Sequence, residues 1–553
     1  MTPRCSAGRY FRKSGSRDAY GILVRNCHAK LEILDTASTG NRMQRIEPLA
    51  PHRPPLKLRG HAAFLAICVC FLLVELIVIS SRRPESDDGW FASPPYNLLH
   101  HGHFGTTTIA PRGYLLRPEL THINQRTYWV LPLNLLAQAV WYAVFGFGLA
   151  QMRLLTLLFG LLGLVALYRW VVRLTDDRLA ASIAVLLMAQ DNLITWRSAD
   201  GRMDVMCLSL GLMGQAAYLA WRERSLGKAL LVGNTLICLS LLTHPNGIIY
   251  FLCLVATVLV LDARRLRLAH ILPFASSYFF AGAAYGAWAM CDIQGFKDQL
   301  AGNHAANRMA LLTHPLNAII EELTLFRHVF IGAEYDPGKF APLKVILLVT
   351  SVGGYLGQVF VRPLRIQATM VLALCGAIPV GVLTLFNARN AYYLIHIVPF
   401  FAANGGILFA YLWRTGTWMR RFVGAAVAVT LLINVAITAR RTVAARRENA
   451  EFRRLSAVAS RMLTPGERMI APAYFAFGIG MDRVVDDDTQ GFYGRWCPAL
   501  MIARDLPPDE IRNLQKEAPE VLEYRSRVLT VYYSRVDGNL YQRISCPPGA
   551  RAD

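Results

Sequence analysis

Long apolar runs recur along most of the chain, and short polar stretches rich in Arg separate them. Many of these runs are about 18–22 residues long, which is the helical length that crosses a bilayer core. The pattern therefore predicts a polytopic protein with about eleven membrane-crossing helices. The predicted crossings are 61–81, 150–172, 179–197, 204–221, 228–243, 246–262, 270–290, 342–361, 367–386, 391–412 and 422–438.

The apolar segment 127–146 is predicted to lie at the outer membrane interface instead of crossing. If it crossed, the later Arg-rich loops would fall on the wrong side, whereas five of them share the cytoplasmic side when it does not. Its Trp129, Trp141 and Tyr142 are typical of an interfacial helix. This topology places the N-terminus in the cytoplasm and the C-terminus outside, in a multi-pass protein of the cell membrane.

Composition agrees with this pattern. Of 553 residues, 54% are hydrophobic and 17% are charged, against roughly a quarter charged in an average soluble protein. A net charge of +21 could indicate a nucleic-acid partner. The Arg residues instead cluster in the loops between apolar runs, which favours the positive-inside rule and contact with anionic membrane lipids.

Changes in composition divide the chain into three predicted domains. Residues 1–60 form a basic, disordered cytoplasmic leader, within which Met43 is an alternative start. Residues 61–439 form the transmembrane domain. Residues 440–553 carry many charges and the β-rich stretch 527–533, and they predict a small extracytoplasmic α/β domain. There, Cys497 and Cys546 could pair in an oxidising compartment.

The predicted topology collects acids and bases on the outer face. Asp87 and Asp88 follow the first crossing directly, and adjacent acids at a membrane surface indicate a use for their charge. A carboxylate there can act as a general base on an acceptor hydroxyl, and a cation can stabilise a departing phosphate. The other candidate substrate-binding residues on this face are Arg126, Arg202, Asp204, His244, Arg389 and Tyr392.

Several motifs on this face, in their order and spacing, resemble those of the GT-C glycosyltransferases, near the branch of the lipid A aminoarabinose and dolichyl-phosphate-mannose protein mannosyltransferases. The resemblance covers residues 61–412. The matching pieces include Asp87-Asp88-Gly-Trp-Phe-Ala, Arg126-Thr-Tyr-Trp, Arg202-Met-Asp204, Leu242-Thr-His-Pro-Asn-Gly247 and Arg389-Asn-Ala-Tyr-Tyr-Leu394.

The resemblance implies catalytic roles for Asp87, as the base, and for Asp88 as the usual second acid. It implies that Asp204 helps to bind a metal or shapes the site, and that Arg126 contacts the donor phosphate. The aminoarabinose branch typically has Lys where this chain has Arg126. This difference weakens any inference that the chain uses the sugar or acceptor of that branch. Some family members bind a divalent metal at the outer face, but the sequence identifies no secure ligand set.

Each candidate also has a plainer interpretation. Asp204 at a helix start could simply offset the helix dipole, Arg126 could anchor the interface, and His244 before a Pro could cap a helix. Tyr392 equally fits an aromatic belt.

The sequence leaves three functions to compare. The first is an inverting glycosyltransferase (hexosyl- or pentosyl-) that moves a sugar from a polyprenyl-phosphate donor to a hydroxyl of a lipid, glycan or protein acceptor. The alternative is a transporter or flippase of a lipid-linked or anionic substrate, for which ionisable groups at mid-membrane and broken helices are expected. The third is a scaffold subunit whose acids are vestigial.

Overall fold

The computed structural model describes residues 57–111, 120–304, 342–360, 366–385, 391–498 and 500–503, together with residues 320 and 324 and short pieces between 511 and 552. Every predicted crossing is largely helical over its described residues. The helices are Lys57–Ser81, Ser86–His100, Pro132–Phe145, Leu149–Thr175, Arg178–Ala189, Asn192–Ser198, Asp204–Trp221, Leu226–Thr243, Gly247–Asp262, Ile271–Met290, Ile293–His304, Pro342–Phe360, Ile366–Leu385, Val398–Thr415, Thr417–Met462, Ala476–Ile479 and Pro519–Ser526. Short 3₁₀ turns cover Ala263–Arg265, Leu268–His270, Ala391–His396 and Ala473–Phe475.

Within the described residues, six helices are long and apolar enough to cross a membrane, which makes the chain a multi-pass membrane protein. A seventh crossing is formed if Arg178–Ala189 and Asn192–Ser198 are one span, bent by 66°. The helix Asp204–Trp221 is not among these six, and most of its residues are buried against other helices. The count of about eleven crossings therefore remains a prediction.

The segment predicted to lie at the interface contains a helix of 14 residues, Pro132–Phe145. Such a helix is about 21 Å long at 1.5 Å per residue, shorter than the ~30 Å hydrocarbon core. Leu135, Ala139 and Tyr142 are buried along one face, whereas Val140 and Val144 are exposed. The helix is therefore too short to cross, and its exposed side is apolar, as expected of a surface that contacts lipid.

Small residues let two of the helices approach closely. Gly406, on Val398–Thr415, lies against the backbone of Ala180 and Ala184, where a Cβ atom would collide. Small residues at such positions are how helices gain van der Waals contact inside a membrane. This contact therefore fixes the first half of the bent span, Arg178–Ala189, against Val398–Thr415.

A hydrophobic core separate from that of the membrane helices joins the helix Ser86–His100, called the first outer helix for its predicted side of the membrane, to the C-terminal part of the chain. Trp90 and Phe91 pack in one cluster with Met469 and Phe475. Gly89 touches the backbone of Ala473, which leaves no room for a side chain. The helix that carries Asp87 in its first turn is therefore held by residues far along the chain.

The C-terminal part combines one long helix with small sheets. Thr417–Met462 has 46 residues and runs without a break through residue 440, the predicted domain boundary. The strands are β1 Met469–Ile470, β2 Val484–Val485, β3 Trp496–Cys497, β4 Leu500–Ala503, β5 Thr530–Arg535, β6 Gly538–Gln542 and β7 Arg551–Ala552. Five of them form a sheet of order β2-β1-β4-β6-β5, and β3 pairs with β7.

Candidate active site

Asp88 lies in the first turn of Ser86–His100 and is fully engaged by its neighbours. Its carboxylate accepts hydrogen bonds from Arg153 Nη2 at 2.9 Å and from the Gly201 amide at 2.9 Å. It also accepts the Glu85 amide at 3.1 Å, which offsets the unpaired donors at the start of the helix. Asp88 thereby joins three segments of the chain.

Arg153 is completely buried and closes the end of the first crossing. Besides Asp88, it donates to the carbonyl oxygens of Arg82 at 2.9 Å and Arg83 at 2.8 Å. A buried charge persists only when it is paired and hydrogen-bonded. The Arg153–Asp88 pair therefore acts as a structural brace beneath the helical turn that carries Asp87.

Asp87 points to the other side of the same turn and pairs with Arg202. Arg202 also donates through Nε to Asp204 at 2.8 Å. The Asp87 side chain remains 27% exposed, whereas Asp204 is fully buried. No hydrogen bond joins Asp87 Oδ1 to any residue in the part of the chain that the structure describes, so this oxygen remains available to a substrate.

A second line of charges runs beside the first. Glu85 pairs with Arg82 and lies 3.7 Å from Arg197, which in turn donates to Asp200 at 2.6 Å. The ring of Tyr392 lies beneath both lines, at 3.5 Å from the Arg197 guanidinium and 5.1 Å from that of Arg202. Such stacking fixes the two planar cations in place.

Glu85 and Asp87 are the exposed carboxylates of this network, and their electrostatics differ. Burial raises the pKa of Glu85, but Arg82 and Arg197 outweigh burial and lower that pKa to about 2. For Asp87, removal from water outweighs the attraction of Arg202 and raises the pKa above its usual value. A stronger proton acceptor is a better general base, so Asp87 is the better candidate of the two.

Behind Asp204 lie His244 and His396, and the potential ligand atoms of the three residues are within 4.8 Å of one another. Asp204 Oδ1 and His396 Nε2 are buried and have no hydrogen-bond partner in the described residues. His244 Nδ1, however, accepts the Asn246 amide at 3.1 Å, which puts the proton of the neutral ring on Nε2. Asp204 Oδ1 and His396 Nε2 are thus the two ready ligands of a candidate divalent-metal site, and His244 would complete the three ligands typical of catalytic zinc only after releasing the Asn246 amide.

The structure brings most of the predicted site residues together, but not all of them. Asp87, Asp88, Arg202, Asp204, His244 and Tyr392 belong to one cluster. Arg126 lies elsewhere, next to Tyr128 and Cys291, and no contact among the described residues links it to Asp87. Arg389 lies outside the described residues.

Six members of the cluster were not among the predicted site residues: Arg82, Glu85, Arg153, Arg197, Asp200 and His396. Asp200 was expected only as a neighbour of the site, and its spacing of three residues from Arg197 was a usable signal for their pairing. Arg153 sits inside an apolar run, where an unpaired charge is costly, and this cost pointed to a partner without naming it.

The chain matches known proteins in its three-dimensional structure and not in its sequence. No protein-family model matches the sequence, and no curated protein has a significantly similar sequence. Among solved structures, ArnT from Cupriavidus metallidurans bound to undecaprenyl phosphate superposes with a TM-score of 0.56 at 14% identity, over 88% of this chain and 99% of that one. The apo form of ArnT gives 0.52 at 13% identity, over 90% and 100%.

The chain has the GT-C fold. The oligosaccharyltransferase of Archaeoglobus fulgidus superposes less well, with a TM-score of 0.45 at 14% identity, over 79% of this chain and 66% of that one. The resemblance drawn from the sequence motifs is thus confirmed at the level of fold. Within this GT-C fold, the cluster around Asp87 lies where the ends of several apolar helices meet the first outer helix.

Proposed function

We propose that this protein is an integral-membrane glycosyltransferase that moves a sugar from a polyprenyl-phosphate donor to an acceptor hydroxyl on the outer face of the membrane. The observation that carries the proposal is Asp87. It is a carboxylate with a raised pKa, one free oxygen and a fixed arginine partner, at the end of membrane-crossing helices. The GT-C fold and the solved ArnT complex with undecaprenyl phosphate support this class of donor.

The proposed reaction is a single displacement. Asp87 Oδ1 takes the proton of the acceptor hydroxyl, and the acceptor oxygen forms a bond to the anomeric carbon. The bond from that carbon to the phosphate oxygen breaks, and the polyprenyl phosphate leaves with the electron pair. Attack from the face opposite the leaving group inverts the anomeric carbon.

Arg202 has two tasks in this scheme. Before the donor binds, it holds Asp87 in place and keeps that carboxylate ionised. When the donor phosphate arrives, the guanidinium can stabilise its growing negative charge. Arg126 and Arg389 are proposed as further phosphate contacts, and His244 and Tyr392 as residues that shape the pocket.

Asp88 and Asp204 support the reaction from beneath. Asp88 has no free oxygen for a proton, since Arg153, Gly201 and Glu85 occupy the carboxylate. We therefore propose that it positions Asp87 rather than acts on substrate. Asp204 orients Arg202 in the same way. Because the Asn246 amide occupies His244 Nδ1, no step of the scheme passes through a metal.

The outer location rests on charge and on cysteine chemistry. The basic loops predict that the opposite face is cytoplasmic. Cys497, at the end of β3, is disulfide-bonded, and disulfides persist in oxidising compartments outside the cytoplasm. We accordingly propose that residues 1–60 are a cytoplasmic leader, 61–439 the catalytic membrane domain and 440–553 an extracytoplasmic domain.

A deletion strain tests the function. Mass spectrometry of envelope lipids, glycans and glycoproteins should show one sugar modification lost, restored by the wild-type gene and not by Asp87→Asn. Equal restoration by Asp87→Asn would refute Asp87 as the base. An envelope with no change in any glycan would refute the transfer reaction.

Two observations favour the transporter alternative enough to test it. The span after residue 178 is bent by 66°, and broken helices are common in transporters. Glu75, inside the first crossing, is fully buried, and neither of its carboxylate oxygens has a partner in the described residues. Reconstituted liposomes decide the question, since a flippase moves a labelled lipid across the bilayer without an acceptor, whereas the proposed transferase does not.

A further inference from the structure

A large cleft opens at the end of the helix bundle remote from Asp87. It has a volume of about 1150 Å³ and lies between the helices Lys57–Ser81, Leu149–Thr175, Asp204–Trp221 and Leu226–Thr243. Its walls are mostly apolar, with Phe64, Val165, Met213, Ala217 and Leu236 among them. Drug-sized ligand pockets measure roughly 300–1,000 Å³, so this cleft has room for a larger apolar molecule.

The polar end of the cleft is basic. Arg169, Arg173 and Arg178 line it, together with one acid, Asp176. Arg169 and Arg173 are exposed, and neither forms an ion pair with any of the described residues. The neighbouring acid Asp177 is already engaged by Arg414, at 2.5 and 2.8 Å. Arg169 and Arg173 therefore offer positive charge that no described residue neutralises.

One buried polar atom also faces the cleft without a partner. Tyr168 is 6% exposed, stacks on Phe64 at 4.4 Å, and lines the cleft, yet its hydroxyl makes no hydrogen bond to the described residues. A buried hydroxyl left unpaired is unfavourable. A ligand with acceptor oxygens would satisfy it.

The length of the helix Leu149–Thr175 gives the distance between the cleft and the candidate active site. Arg153 is near its first turn and Arg173 near its last. The twenty residues between them rise about 30 Å, which equals the thickness of the hydrocarbon core. Given the proposed orientation, the basic rim lies at the cytoplasmic leaflet.

We propose that this cleft binds an anionic phospholipid of the cytoplasmic leaflet. Its phosphate lies between Arg169 and Arg173, which present the forked donors that suit phosphate oxygens. The Tyr168 hydroxyl donates to a head-group oxygen, and the acyl chains lie along Phe64 and Met213. Basic pockets between membrane helices on this side are known to take anionic head groups.

Trp221 lines the cleft, and its surroundings support a position of the basic rim at the membrane–water interface. Its ring lies 3.8 Å from the ammonium of Lys228. Trp and Lys are typical of the membrane–water interface. A lipid head group at this level would sit at its normal depth, without leaving the leaflet.

The test measures lipid retention, so its result does not depend on transferase activity. The full-length protein is purified in mild detergent, mixed with phosphatidylglycerol or phosphatidylethanolamine, and examined by native mass spectrometry. We expect phosphatidylglycerol to be retained preferentially. The double variant Arg169→Gln/Arg173→Gln removes two charges at the rim and should weaken this binding by about 30-fold.

Two further variants separate a built site from general attraction. Arg224→Gln/Arg264→Gln removes the same charge from other exposed positions and should leave retention unchanged. Ala217→Phe fills the apolar wall without changing charge and should lower retention as well. The proposal is wrong if Arg169→Gln/Arg173→Gln binds phosphatidylglycerol as the wild type does, if Arg224→Gln/Arg264→Gln loses it equally, or if undecaprenyl phosphate displaces it at equal concentration.

Discussion

One helix, Leu149–Thr175, carries arginines at both ends, and the two ends are built in opposite ways. At the proposed outer end, Arg153 is fully buried and donates to Asp88 and to backbone carbonyls of the preceding loop. At the proposed inner end, Arg169 and Arg173 are exposed and have no ion pair among the described residues. The same side chain is a structural brace in one place and an open cation in the other.

The difference shows what distinguishes a reaction site from a lipid contact in such a protein. In the outer cluster each arginine is matched by a carboxylate, so the protein defines both the position and the charge of Asp87. At the inner rim the matching anion has to come from outside the chain. Removing a charge should therefore damage the outer end in its chemistry and stability, and the inner end only in what it binds.

The largest expected effect is that of Asp87→Asn. Losing a general base typically lowers the rate by 10²–10⁴-fold, and the transfer rate with the donor and acceptor found from the envelope comparison should fall by about that factor. The matched control is Asp176→Asn at the inner end, where the left-handed backbone, φ 55°, suits Asn equally well. If the two variants lost activity equally, the proposed contrast between the ends would collapse.

Arg153→Met should produce the next largest effect, on stability. It leaves Asp88 buried without its partner, which typically costs about 3–5 kcal/mol. Arg169→Met, an exposed change on the same helix, should stay within ~0.5 kcal/mol. Denaturant unfolding in detergent measures both free energies.

A double variant tests whether the loss of stability in Arg153→Met comes from the unpaired charge of Asp88. Asp88→Leu added to Arg153→Met removes the stranded charge and should recover part of the loss. Stability that falls further in the double variant would contradict the account of the pair as a brace.

A smaller effect concerns the pH profile. Asp87 must be ionised to act as a base, so activity should fall as the pH decreases through its raised pKa. Arg202 lowers that pKa, and Arg202→Gln should move the acid limb of the profile upward by roughly 1–3 pH units. Arg169→Gln, about 30 Å away by helix length, should not move it. If the acid limb of the pH–activity profile did not shift in Arg202→Gln, a group other than Asp87 would control the loss of activity at low pH.

The smallest effect expected is that of metal removal. Loss of a needed metal or of its supporting residues commonly costs 10–100-fold or more, but transfer here should stay within a factor of about two after treatment with EDTA. His244→Ala should likewise leave the response to EDTA unchanged. Activity that is abolished by EDTA and restored by one divalent cation would show that His244 turns to release Nδ1 from the Asn246 amide.

The sequence predicted the helices well because their signal is local. Apolar runs and basic loops depend on neighbouring residues only, and they placed Asp87, Arg202 and Asp204 on one face. Glu85 and Asp200 were harder, because an acid in a polar loop looks the same whether it is solvated or paired. Arg153 and His396 depend on contacts with distant segments, and no spacing along the chain encodes which partner they meet.

The same limit applies to Arg126. It was grouped with Asp87 by motif, and its described neighbours are Tyr128 and Cys291. Which residues of one membrane face actually touch depends on helix packing, including close contacts such as that of Gly406 with Ala180. A pattern of hydrophobicity specifies the face of the membrane and leaves the position within it open.

The contact between the first outer helix and the C-terminal segment also sets an order in time. Trp90 Nε1 donates to Asp486 at 3.2 Å, across a separation of 396 residues. A ribosome adding 5–20 residues per second needs roughly 20–80 s to make that stretch. Throughout this interval Asp87 has been synthesised, but the surface that seats its helix does not yet exist. The candidate active site is therefore completed near the end of synthesis, and nascent chains released early carry the acids without their final support.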